Sequence, residues 1–141
     1  MSAQAAEPIR RAQASGDVEV AETVVTRMEQ LDPRQADAVA RAIGTVSADP
    51  GTPIRIDLPG GPPGRVYKAL APADPEAPVV IYRRAAGGTW LVAALLDRDK
   101  YSLYRQAERA NLLDDPAFRA LIMAALSLVG IYLLSRANAK A

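Results

Sequence analysis

The chain has 141 residues, half of them hydrophobic and 23% charged, with a net charge of +1. That length suits one domain with a small surplus, and the composition is too apolar for a disordered chain. With neither cysteine nor histidine, it can build no disulfide framework, no thiolate nucleophile and no Ser-His-Asp triad, and a zinc site would need carboxylates alone. Any catalysis would have to use Lys, Arg, Tyr, Asp or Glu.

Residues 1–16, MSAQAAEPIRRAQASG, hold a basic pair but no apolar run, so they read as a flexible N-terminal arm rather than a secretory signal. From Asp17 the pattern turns helical. Val20, Val24 and Met28 recur four apart, with Ala21, Val25 and Leu31 beside them, and Asp17 is placed to cap the start. Asp32-Pro33 interrupts this helix and opens another, with a capping carboxylate followed by proline at the first helical position. The second helix puts Ala36, Val39, Ala40, Ile43 and Val46 on one face, and Asp49-Pro50-Gly51 ends it. The pair makes a helical hairpin.

The period then changes to two. Ile54, Ile56 and Leu58 alternate with Arg55 and Asp57, as in a half-buried edge strand. Residues 60–64 are a Gly/Pro turn without the lysine and hydroxyl of a phosphate loop. Strands are expected over 65–70, 79–84 and 89–96, the last two joined by Ala85-Ala86-Gly87-Gly88. A helix follows over 97–113, with Leu103, Ala107 and Ala110 on one side, before Asp114-Asp115-Pro116 breaks the chain. The predicted class is α+β: an N-terminal helical hairpin packed on a mainly antiparallel sheet of three to four strands, then a helix and a separate apolar C-terminal helix. The division is an arm over 1–16, a domain over 17–113, an apolar helix over 117–136 and a polar tail over 137–141.

Residues 120–135, ALIMAALSLVGIYLLS, carry no charge and are apolar on every face, with Arg119 and Arg136 at the ends. As a helix the run spans ~24 Å, against a bilayer core of about 30 Å. Three uses are open: a short membrane anchor, self-association with a second copy, or packing on the domain or a protein partner. Ser127 and Gly130 would permit close helix approach. As an anchor it would hold a cytoplasmic domain at the inner face of the membrane.

From residue 62 to 109 the chain carries eight basic and five acidic residues, a net +3. Within it stand Tyr67-Lys68, the strand Val79-Val80-Ile81-Tyr82-Arg83, the run Trp90-Leu91-Val92-Ala93-Ala94-Leu95-Leu96, and Asp97-Arg98-Asp99-Lys100-Tyr101-Ser102-Leu103-Tyr104. With the element order, these residues resemble the RelE/ParE toxin superfamily over about 17–109. The resemblance implies either a toxin acting as a metal-independent, ribosome-dependent messenger-RNA endonuclease without a cofactor, or a non-catalytic interaction module on the same scaffold. For the nuclease it implies Lys68, Arg98, Lys100 and Tyr104 as catalytic residues, with Tyr101 as a rival for Tyr104, and Arg83 and Arg84 as RNA-binding. Partners would be an antitoxin or other protein, or the ribosome and its RNA. The family often places an arginine early in the third strand, where this chain has Pro78-Val79. Without any resemblance, Lys68 and Arg83 read as the solvated face of a sheet, Tyr101 and Tyr104 as a packing stripe, Trp90 as core. Arg98 and Lys100 would be neutralised by Asp97 and Asp99, which also cap the helix.

Overall fold

The computed structural model describes residues 17–109 and the single positions 10, 116, 117, 120, 121 and 124. The described chain is α+β, with a five-stranded mixed sheet between helices on both faces. Its elements are β1 (Val18–Val20), α1 (Glu22–Gln30), α2 (Pro33–Ile43), a 3-10 turn (Val46–Ala48), β2 (Thr52–Arg55), β3 (Val66–Leu70), β4 (Val79–Arg84), β5 (Trp90–Leu96) and α3 (Arg98–Arg109). The strand order is β1-β5-β4-β3-β2.

β1 corrects the expectation that the chain is helical from Asp17 and the count of three to four strands. Val18 and Val20 are buried and Glu19 exposed, so a period of two was available beside the four-residue spacing that Val20 shares with Val24. β-branched valines favour the extended form. β1 runs parallel to β5, and bonds from Trp90 N to Asp17 O (2.7 Å) and from Ala21 N to Val92 O (3.0 Å) lengthen the ladder. Asp17 therefore precedes β1 and extends its ladder through its carbonyl instead of capping a helix, and α1 has Ala21 at its N-cap with no side-chain cap. The other strand pairs are antiparallel.

α2 begins as expected: Asp32 Oδ1 accepts from Gln35 N at 3.0 Å, with proline at the first turn. It ends at Gly44 rather than at Asp49-Pro50-Gly51, and Val46 joins the core from the 3-10 turn. β2 is an edge strand two residues earlier than the sequence period suggests.

β4 is buried on both faces from Val79 to Tyr82, as a central covered strand must be. Val80 and Tyr82 face α1 and α2 together with Val24, Met28, Val39 and Ile43. Val79 and Ile81 face α3 together with Ile54, Tyr67, Tyr104 and Ala107. A bulge in β5 reconciles two faces with one run of apolar residues. Ile81 pairs with Ala94 and Tyr82 with Val92, so Ala93 is the extra residue. Val92 and Leu95 can then both serve the hairpin face. The β4–β5 turn uses Gly87 and Gly88 at φ 89° and 86°, and Ala85 N bonds Thr89 O at 2.7 Å.

α3 buries Tyr104 and Ala107, while Leu103, expected on the packed side, is 40% exposed. The expected apolar helix over 117–136 lies largely outside the described residues. Pro116, Ala117, Ala120, Leu121 and Ala124 are helical and exposed. Among the described residues no helix is long and apolar enough to cross a membrane.

Candidate functional site: a cationic cavity around Asp49

The sequence-predicted residues fall into two groups. Lys68, Arg83 and Arg84 line one open cavity of about 470 Å³, together with Asp49, Arg65, Val66, Tyr67 and Trp90. Arg98, Lys100 and Tyr104 stand elsewhere.

β3 and β4 place the first group. Lys68 pairs with Tyr82 across the β3–β4 ladder, and Arg84 pairs with Trp90 across β4–β5. In β3, Tyr67 and Ala69 enter the α3-side core, so alternation sends Lys68 to the opposite face. There its ammonium lies 3.6 Å from Asp49 Oδ2. Arg84 lies over Trp90, with its guanidinium carbon 5.1 Å from the ring centroid. The Tyr82 ring meets Trp90 edge-on at 5.7 Å.

Asp49 and Tyr82 tie the α2–β2 connection to the centre of the sheet. The Tyr82 hydroxyl accepts from Gly51 N at 2.7 Å and donates to Asp49 Oδ1 at 2.9 Å. Burial, above all, pushes the Tyr82 pKa up to about 12. The Asp49 carboxylate adds to the rise and the Gly51 N–H opposes it. At neutral pH this phenol is a fixed hydrogen-bonding post. Gly51 is required by closeness, since a Cβ there would stand 2.7 Å from the Tyr82 oxygen and 2.9 Å from Ala69 O.

Arg98, the first residue of α3, turns inward. Its Nε donates to Ala77 O at 2.8 Å, and Nη2 donates to Pro72 O at 3.1 Å and Asp74 O at 3.0 Å. It thus clamps the β3–β4 connection. Of the two flanking carboxylates, Asp97 pairs with Arg27 of α1. Asp97 also gives its backbone carbonyl to Tyr101 N at 2.9 Å, in the first turn of α3. Lys100 is half-buried in that turn. Tyr104 is 4% exposed, in the core beneath α3. Tyr101 packs at the edge of that core, and its hydroxyl accepts from Arg105 Nε at 3.1 Å.

A second cavity, of about 790 Å³, lies between α2 and residues 70–76, rimmed by Arg34, Arg41, Asp37, Asp74 and Glu76. Its mixed rim shows no single preference. The first cavity is lined by four basic residues, Arg65, Lys68, Arg83 and Arg84, and one carboxylate, a composition suited to anionic groups. Alternation along β4 puts Arg84 on the face of Lys68 and Arg83 on the other. Sequence reasoning missed Asp49 and Tyr82. One stood in a helix-stop signal and the other in an apolar strand, and only the fold brings them to Lys68. Among the described residues no cluster of acidic side chains is arranged to hold a metal ion. No family model matches the chain, and no curated protein or solved structure matches it at a significant score.

Proposed function

We propose that the chain is a non-catalytic interaction module on a RelE/ParE-like toxin scaffold, binding a partner's anionic groups through the cavity that holds Arg65, Lys68, Arg83 and Arg84. One observation carries this reading. Arg98 spends its guanidinium on three backbone carbonyls and Tyr104 is buried, so neither stands with Lys68 at a common phosphate. A nuclease needs cations and a proton-transfer group converging on one scissile bond. The charge-free run 120–135 serves as the module's tether, either in a membrane or against a second copy.

The test is expression in cells without any partner gene. Growth is expected to continue, and Lys68→Ala with Arg84→Ala is expected to abolish capture of the bound partner without lowering the unfolding midpoint. Arg98→Ala is expected instead to destabilise the fold by about 2 kcal/mol, the scale of hydrogen bonds to a charged group. The gathering of Lys68, Arg83 and Arg84 in one cavity favours a second reading, a ribosome-dependent messenger-RNA endonuclease. Growth arrest with cleaved ribosome-bound message, relieved by Lys68→Ala, would establish that reading and remove the first.

A further inference from the structure

The cavity holds one carboxylate that an anion-binding surface does not need. Asp49 adopts φ 52° and ψ 53°, left-handed backbone that few residues other than glycine enter and that Asp and Asn enter most readily. Its carboxylate is held from below by the Tyr82 hydroxyl at 2.9 Å and faces Lys68 at 3.6 Å. Tyr82 is fully buried, so the post that fixes the carboxylate cannot swing away. The Asp49 and Lys68 side chains are 37% and 33% exposed, and a pair so open to water contributes little stability. What it does is place a negative charge beside Lys68 in a cavity whose other charged lining residues are all basic.

A nucleic-acid strand carries a charge on every nucleotide and cannot skip the position beside Asp49. It also gains much of its affinity by stacking bases on bare aromatic rings. Here Arg84 lies over Trp90 and Tyr82 meets the same ring edge-on. A protein segment has no such constraint. It can set acidic side chains against Arg65 and Arg84, present a donor to Asp49, and rest an apolar side chain on Val66, which is 53% exposed.

We infer that Asp49 is the specificity-determining residue of this cavity, selecting a protein segment of mixed sign over a nucleic-acid backbone. The inference rests on the cavity being the binding face. Asp49→Asn removes the charge while keeping an acceptor for Tyr82 and a residue suited to the left-handed backbone. The affinities of the full-length chain for a short oligouridylate and for a peptide of Glu-Lys-Glu repeats, matched in net charge, are measured by fluorescence anisotropy. Asp49→Asn is expected to tighten the oligouridylate about fivefold and weaken the peptide by a similar factor, the equivalent of ~1 kcal/mol for one exposed charge contact. Asp49→Gly, which also suits the backbone, is expected to move the probes in the same opposite directions. If both probes move together, or neither moves, Asp49 is not the selecting residue. Arg84→Ala separates the two readings. It is expected to weaken both probes, and if it changes neither, the cavity is not the binding face and the inference falls with it.

Discussion

Tyr82 joins the packing of the sheet to the geometry of the cavity. Its ring fills the core under the helical hairpin, and its hydroxyl holds Asp49 and Gly51 N. Replacing it with phenylalanine keeps the ring but leaves a backbone N–H and a carboxylate oxygen without that partner. Tyr82→Phe is therefore expected to cost about 1–3 kcal/mol at neutral pH, read from urea unfolding. The pH dependence comes from the raised pKa. Below the ordinary tyrosine value of 10.0 the phenol is neutral in both folded and unfolded chains. Between 10.0 and about 12 the unfolded chain ionises while the folded chain keeps its proton, so stability falls as pH rises through that window. The checking measurement is the difference between the two proteins: the wild-type advantage over Tyr82→Phe should shrink from pH 10 towards pH 12. None of this was legible in the strand pattern, which places Tyr82 in a strand but says nothing of where its oxygen points.

At the scale of elements, the most readable features were those whose signal is local. Asp32-Pro33 marks the start of α2 because cap and proline act within one turn, and Asp32→Ala is expected to cost about 1 kcal/mol in thermal unfolding without changing the fold. Ala85-Ala86-Gly87-Gly88 marks a hairpin because two residues of positive φ almost require glycine. β1 was hidden for the opposite reason. Three residues carry too little periodicity to tell a strand from the first turn of a helix, and their pairing with β5 spans some seventy positions. The bulge at Ala93 was hidden too, since Leu91 to Leu96 is an unbroken apolar run that fits any register. The same limit applies to α3. Leu103, Tyr104 and Ala107 offer two possible faces, and only the docked helix shows that Tyr104 and Ala107 face inward.

Over the whole molecule, a mild basic excess along 62–109 separates into two uses that charge counting merges. Arg98 and Arg105 bind backbone carbonyls and stitch α3 to the β3–β4 connection and to the edge strand β2, while Arg65, Lys68, Arg83 and Arg84 gather at the cavity. Among the described residues, both core clusters draw on positions from Val18 to Ala107, and each is closed over the sheet by its own helices. Leu121, past the end of α3, is 63% exposed and takes no part in either. A chain ending at residue 115 should therefore keep every buried contact that the described residues make in both clusters. Its thermal midpoint is expected to stay within about 4 °C of the full-length value, a shift that for a domain of this size corresponds to roughly 1 kcal/mol or less. Sedimentation should find it monomeric without detergent, whereas the full-length chain should need detergent or run as an oligomer. A midpoint lowered well beyond that margin would mean that the apolar run 120–135 packs on the domain itself, and the tether role proposed for it would have to be given up.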